Sequence, residues 1–444
     1  MNRGERMALV AAILGAFVAF LDMSVVNVAL PAIRRSLGGG IAAQQWIVDA
    51  YLLTLSALIL IAGSMSDLFG RKRIFVVGLL GFGVASLLCA FAPGVTFLIV
   101  ARGLQGIAGS LLVPSSLAMI MSTFAGEAQG RAIGTWTAWT GISFLVGPLL
   151  GGALVDAGSW RWVFAINVAP IAATLAVVSR LPPDHPPDSG RRVDLRGAAL
   201  CAAGLGGVTF ALIELPRAGW RAPGIWIPFA VGAALLVAFV RWERAAPDPM
   251  LDCALFRERN FAVGNVATVA IYAGLSAAMF ILTLFLQQIV GYRALSAGLS
   301  LLPVTLLMFV LAPSFGRWAG RHGPRWFMSA GPVVAGAGLA LLGRIGTHPV
   351  YVRDVLPGVL VFGLGLSATV APLTAAVLGG VDERRAGVAS AVNNAVARVA
   401  GLLAIAAVGA RPFGPAMAVM AALLGAGGLI SALGIRNAPR GGRP

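Results

Sequence analysis

The sequence predicts an all-α polytopic membrane protein of about fourteen transmembrane helices: two six-helix bundles plus two inserted central helices. Three observations lead there. Of 444 residues, 58% are apolar and only 11% are charged, against roughly 25% charged in a soluble domain. The apolar residues gather in runs long enough to cross a bilayer, which takes ~20 residues. These runs lack period-two alternation, so helices rather than a closed barrel must satisfy the backbone in lipid. Finally, features of the first half recur in the second, as in an internal repeat.

The net charge of +16 would suit a nucleic-acid binder only if it clustered on a polar domain. Only two stretches are polar, 181–197 and 241–260, and the basic residues otherwise sit in short loops between apolar runs. Cys89, Cys201 and Cys253 have neither metal spacing nor a paired framework. No metal or other cofactor is expected. All basic residues but Lys72 are arginine, and alanine and glycine abound, a pattern of GC-rich bacterial genomes.

The first helix, 8–30, follows Arg3 and Arg6 and ends at Pro31. Its start resembles a signal peptide, but no small-residue cleavage site follows and Asp22 interrupts it, so it is read as a span. The second helix, 44–65, carries Asp49. Before the third, 74–92, runs Gly63-Ser-Met-Ser-Asp67-Leu-Phe-Gly70-Arg71-Lys72-Arg73. Gly63 and Gly70 permit close approach and a tight turn. Asp67 and the basic triplet set opposite charges at two helix ends, though charge alone describes any positive-inside loop.

The fourth helix, 96–121, places Arg102, Gln105, Gly106 and Gly109 on one face. An arginine within lipid costs about 3 kcal/mol or more and marks a functional position, unless it snorkels to the interface. The fifth, 132–155, carries Gly147, Pro148, Gly151 and Gly152, with Gly141 one stripe earlier. Small residues four apart let helices pack closely, and proline can bend a helix. The sixth runs over 160–180. The seventh and eighth, 196–214 and 224–241, lie between the polar stretches. The last six cover 261–289, 295–315, 327–343, 353–377, 387–409 and 414–435. In the thirteenth, Gly387, Ala391, Asn394, Arg398 and Gly401 share one face.

A shift of about 253 residues carries Gly63 onto Gly316, Gly70 onto Gly323 and Lys72 onto Arg325, with Gly320 where Asp67 stands. The expected organisation is therefore an N-terminal bundle over 1–180, a two-helix insert over 181–260 and a C-terminal bundle over 261–444. With the N-terminus inside, about two thirds of the 33 Lys and Arg residues fall in inner segments, as cytoplasmic loops require. Arg71, Lys72, Arg73, Arg191, Arg192, Arg257 and Arg259 are among them. Both termini are then cytoplasmic.

Depth relates the embedded charges. At 1.5 Å per residue, Asp22 lies ~12 Å, Asp49 ~8 Å and Arg102 ~9 Å below the outer ends of their helices. Each charge alone would be costly. Asp22, Asp49 and Arg102 are therefore expected to form one buried cluster that exchanges a proton as the bundle rocks. Read more plainly, the same cluster is a static salt bridge that fixes helix packing. The second half has no comparably deep acid.

In this order, the Asp22 segment, the Asp67 loop, the Arg102 face and the Gly147–Pro148 stripe resemble motifs of the major facilitator superfamily. The likeness is strongest to its fourteen-helix branch of drug–proton antiporters. Ser159 to Asn167 resembles the start of that family's sixth helix, and the inserted pair is the branch marker. The resemblance spans essentially the whole chain. It implies a two-bundle fold with alternating access, and a latch between the halves made by Gly63, Asp67, Gly70, Arg71 and Lys72. It also implies a proton path near Arg102 and a bending element at Gly147, Pro148, Gly151 and Gly152. The lack of a deep acid in helices 9–14 argues against dicationic substrates.

The expected function is secondary active transport: proton-coupled export of hydrophobic or amphipathic small molecules such as drugs or secondary metabolites. A monomer in a bacterial inner membrane is expected, with protons, a small-molecule substrate and the lipid bilayer as its partners. Gln105, Asn394, Arg398, Trp139, Phe144 and Phe280 are candidate liners of a substrate cavity, since sites for apolar ligands combine apolar walls with a few polar groups. Rival readings are a facilitator or importer without proton coupling, a polytopic membrane enzyme and a non-transporting sensor. An enzyme would need a catalytic constellation, but His185, His322 and His348 are scattered. No nucleophile elbow or phosphate loop appears. A sensor would normally add a large soluble signalling domain.

Overall fold

The structure, a computed structural model, describes residues 3–124, 126–181, 194–247, 249–379, 381, 386–409 and 411–437. Arg191 and Arg192 lie outside the described residues, as do the side chains of Asp67 and Phe144. Among the described residues the α-helices are α1 (Arg3–Leu37), α2 (Ile41–Phe69), α3 (Arg71–Ala90), α4 (Val95–Thr123), α5 (Gly126–Asp156), α6 (Trp162–Ala165), α7 (Val168–Val178), α8 (Leu195–Ala218) and α9 (Pro223–Ala245). There follow α10 (Arg259–Gln288), α11 (Ala294–His322), α12 (Arg325–Leu342), α13 (Leu356–Leu378), α14 (Ala386–Val408) and α15 (Phe413–Gly434). Thirteen segments are long and apolar enough to cross a membrane, and Trp162–Val178 is a shorter apolar helix. Each of the apolar runs read from the sequence is thus helical, the central pair included.

Two differences from the sequence reading have clear causes. Helix α1 has 35 residues, about 52 Å at 1.5 Å each, whereas hydropathy marks only 8–30. Its extra turns carry Arg3, Glu5, Arg34 and Arg35, which hydropathy discounts although the backbone ladder continues through them. The expected sixth span is broken into α6 and α7, with Ile166 and Asn167 between. Pro170 lacks the N–H that would bond Ile166, and its ring crowds that carbonyl. Asn167 N–H instead bonds Phe164 O at 3.2 Å, a tighter turn.

By contacts the chain forms two compact units, Met1–Leu251 with Tyr292–Leu299, and Asp252–Gly291 with Ser300–Pro444. In the first, α1 packs on α4, α5 and α7, while α4 also receives α2 and α3. The central pair belongs here: α8 lies on α2, with Trp46 and Phe210 rings 6.3 Å apart. The Asp156 carboxylate accepts Leu295 N–H at 3.1 Å and pairs with Arg293 at 3.6 Å. In the second unit, α10 packs on α14 and α15, and α12 on α13 and α15. Asn393 donates to Asn265 Oδ1 at 3.1 Å and Thr268 Oγ1 at 2.9 Å, tying α14 to α10.

The repeated glycines Gly70 and Gly323 make the two corresponding turns, with φ of 94° and 86°. Side chains disfavour this region. In the second turn, Asn437 fills the space beside Gly323: its Oδ1 accepts Arg325 N–H at 3.2 Å and its amide donates to His322 O at 3.3 Å. Gly70→Ala is expected to cost about 1–3 kcal/mol of stability through backbone strain. A lowered thermal unfolding midpoint in detergent checks this, and an unchanged midpoint would contradict it.

Candidate functional site

The charged residues of the first half meet in a buried polar network. Arg102 lies within α4, one turn before Gln105 on the same face. Its Nη1 donates to Asp22 Oδ2 at 2.5 Å and to Gln105 Oε1 at 2.7 Å, and its Nε to Ile47 O at 3.0 Å. Gln105 Nε2 donates to Asp22 Oδ1 and to Ser86 Oγ, both at 2.9 Å. Asn167 Nδ2, from the turn between α6 and α7, donates to Asp22 Oδ1 at 2.9 Å and Ser86 Oγ at 3.3 Å. The guanidinium carbon sits 4.3 Å from the Tyr51 ring centroid and 5.9 Å from that of Phe164, a favourable cation–π geometry. Asp22, Ser86, Arg102, Gln105 and Asn167 are all at most 1% exposed.

The pattern of donors has a direct consequence. Asp22 Oδ1 receives two amide donors and Oδ2 receives a guanidinium, so both oxygens act only as acceptors. A proton on Oδ1 would compete with its two amide donors. Gln105 cannot flip to compensate, because its Oε1 accepts Arg102 while its Nε2 serves Asp22 and Ser86. The arrangement offers Asp22 three donors, each of which suits an accepting oxygen. Asn167→Ala removes one donor to a charged acceptor, expected to cost about 1.5–3 kcal/mol. The check is thermal stability together with the pH profile of transport, which a purely packing role would leave in place.

Asp22 and Arg102 thus meet as the depth argument requires, but Asp49 does not join them. It is fully buried, and neither carboxylate oxygen has a hydrogen-bond partner among the described residues. Its level in α2 is similar, but equal depth does not set which way a side chain turns about its helix. Gln105 was expected in a substrate cavity and instead completes the ion-pair network at 0% exposure. Phe280, another expected liner, is 1% exposed within the core. Among the remaining expected liners, Trp139 is 50% exposed, Arg398 is half-buried, and Asn394 is exposed and bonded to Ser390 O of its own helix. Phe144 lies outside the described side chains.

In the glycine–basic loop, Arg71 Nη1 donates to Ala118 O at 3.4 Å and Lys72 Nζ to Leu181 O at 2.5 Å. These cations start α3, where a helix disfavours positive charge, and they reach the carbonyls of α4 and of the chain after α7. Gly63 faces open space and Asp67 is outside the described side chains. Gly147 and Gly151 bring α5 against Ser24 and Val25 of α1, and Gly152 meets the backbone at Leu295. Pro148 sits inside the continuous α5.

Ser86 escaped sequence reasoning, and Asn167 entered it only as the end of the segment that resembles the family's sixth helix, with no site role. A lone serine in an apolar helix has no distinctive signature. For Asn167, the available signal was its place at the end of the Ser159–Asn167 segment.

Membrane-length helices folded around a buried ion pair define a polytopic membrane protein. The chain belongs to the Major Facilitator Superfamily, whose sequence profile matches residues 12–405. It is 33% identical over 417 residues to Multidrug resistance protein Stp of Mycobacterium tuberculosis (strain CDC 1551 / Oshkosh), covering 92% of this chain and 76% of that protein. It is 36% identical over 396 residues to Puromycin resistance protein pur8 of Streptomyces alboniger, covering 87% and 77%. Against Methylenomycin A resistance protein of Bacillus subtilis (strain 168), identity is 32% over 404 residues, covering 90% and 86%. A crystal structure of peptide transporter POT in complex with sulfate superposes with TM-score 0.70 at 16% identity, covering 97% of this chain and 93% of that one. At that identity the likeness concerns the fold alone. The protein is a multi-pass membrane transporter of small molecules, not an enzyme.

Proposed function

We propose that the protein exports hydrophobic or amphipathic small molecules, drugs or secondary metabolites among them, in exchange for protons. The observation that carries the coupling is the Asp22 acceptor geometry. Three donors from α4 and from the α6–α7 break converge on one buried carboxylate of α1, so a change in its charge acts on the contacts of all three elements. Arg102 is the cation released when Asp22 is neutralised. Asp49, buried without a hydrogen-bond partner among the described residues, is a second proton-carrying position, because an unpaired charge there would be costly. The export reading draws support from relatives named for resistance to puromycin, methylenomycin A and multiple drugs.

On this reading the chain works as a monomer in a bacterial inner membrane with both termini cytoplasmic, divided functionally into 1–180, 181–260 and 261–444. Gly63, Asp67, Gly70, Arg71 and Lys72 latch one state, and Gly147 to Gly152 supply the bend. Trp139 is the candidate substrate contact of the first unit, and Asn394 and Arg398 are those of the second. The test is transport in inverted proteoliposomes. An acid lumen should drive uptake of puromycin or another member of a lipophilic panel, and a protonophore should abolish it. Flux that ignores both the gradient and the protonophore would establish a facilitator instead.

A further inference from the structure

A groove of about 600 Å³ runs along α8 and α9, lined by Leu200, Ala234, Val237, Ala238, Arg241 and Trp242. It lies on a flank that the protein leaves open. Only 17% of the apolar window of α9 is buried against the rest of the chain, and Trp226, Ile227, Val231, Val237 and Val240 are exposed. In a bilayer such a face meets acyl chains. Ala234 and Ala238, with short side chains, lie on its floor beside Leu200 and Val237.

One end of the groove is polar and cationic. Arg241 is exposed and makes no ion pair among the described residues. Arg244, also exposed, lies three residues on. The Arg196 guanidinium sits 5.4 Å from the Trp242 ring. The nearby carboxylates are turned to other tasks. Asp194 accepts Gly197 N–H at 2.8 Å and the Trp242 indole N–H at 2.8 Å. Glu243 is 2% exposed and accepts Leu251 N–H at 2.8 Å. Trp242 thereby marks an interfacial level, with its ring on the apolar wall and its N–H among polar groups. The favourable field of a helix C-terminus explains cations at the end of α9, but not an apolar channel leading up to them.

We propose that this groove binds an anionic phospholipid. An acyl chain lies along Leu200, Ala234, Val237 and Ala238, and the phosphate is held by Arg241, with Arg196 and Arg244 at the rim. The site is distinct from the Asp22–Arg102 network and does not depend on which solute is transported.

The experiment uses the full-length protein in phosphatidylcholine bilayers. Quenching of Trp242 by brominated acyl chains is read as the difference between the wild type and Trp242→Phe, since the chain has ten tryptophans. Brominated phosphatidylglycerol should quench at a lower mole fraction than brominated phosphatidylcholine. Arg241→Gln should weaken that preference about five-fold, the worth of one basic residue at an anionic membrane surface. Ala238→Phe should prevent quenching by either lipid while leaving the arginines in place. Native mass spectrometry should retain phosphatidylglycerol on the wild type and lose it on both variants. Equal quenching by the two lipids, or a preference that survives Arg241→Gln, would overturn the proposal. Displacement of the lipid by millimolar inorganic phosphate would overturn it too, by pointing to a site for free anions.

Discussion

Asp22→Asn is expected to abolish proton-driven transport and to lower thermal stability sharply. The substitution keeps the shape of the side chain and reverses one of its two polar atoms. The new amide must face either Arg102 Nη1 or the paired donors Gln105 Nε2 and Asn167 Nδ2, and each alternative sets donor against donor. It also leaves the guanidinium buried without its counter-charge. Breaking a buried pair from one side costs about 3–5 kcal/mol. Replacing both partners by apolar residues is often neutral, so Asp22→Leu with Arg102→Met separates the two consequences. Gln105 and Asn167 each keep Ser86 as a partner in that variant. The double variant should regain most of the thermal stability and still show no response to a pH gradient. A double variant that restores gradient-driven transport would show that the pair holds the helices together and carries no proton.

Gly106→Val should prevent accumulation of folded protein, the second large effect. A Cβ at this position would overlap Thr54 Oγ1 and the Tyr51 carbonyl, which is backbone and cannot turn away. Here α2 and α4 approach closely enough for Thr54 Oγ1 to donate to Gly103 O at 2.8 Å. Overpacking typically costs about 1–3 kcal/mol. At this site it also pushes α4 away from Ile47, whose carbonyl accepts Arg102 Nε at 3.0 Å, so packing and ion-pair losses combine. Gly134→Ala in α5 is the control. Nothing lies within 4 Å of a Cβ there, and alanine is favoured over glycine in a helix by about 1 kcal/mol. Folded yield and unfolding midpoint should fall for the first variant and hold or rise for the second. Equal effects would show that helix propensity, not the α2–α4 approach, governs both positions.

The Asp22–Arg102 pair could be anticipated because depth along a helix follows from residue count alone, and a buried charge demands a partner at its own level. Asp49 passed the same test and stays apart, because counting along the axis ignores rotation about it. Gln105 was on the correct face, three residues from Arg102, yet was assigned to a cavity. A polar side chain beside a buried ion is consumed by that ion's unmet hydrogen bonds before any substrate arrives. Asn167 was visible as the end of a family-like segment, but its bond to Asp22, 145 residues earlier, is a tertiary contact that no hydropathy window detects.

What the sequence determined by itself is the succession of membrane-length helices, the repeated glycine turns at Gly70 and Gly323, and the presence of an acid and an arginine that must meet. These follow from transfer free energies and backbone sterics, which are local properties of the chain. Only the tertiary structure decided which polar groups complete the pair, which acid is left out, and that α8 and α9 pack with the first unit while leaving a groove on their flank. Those outcomes depend on how helices rotate and approach one another. That is governed by side-chain volumes and donor–acceptor matching between segments as far apart as Asp22 and Asn167, which no local pattern encodes.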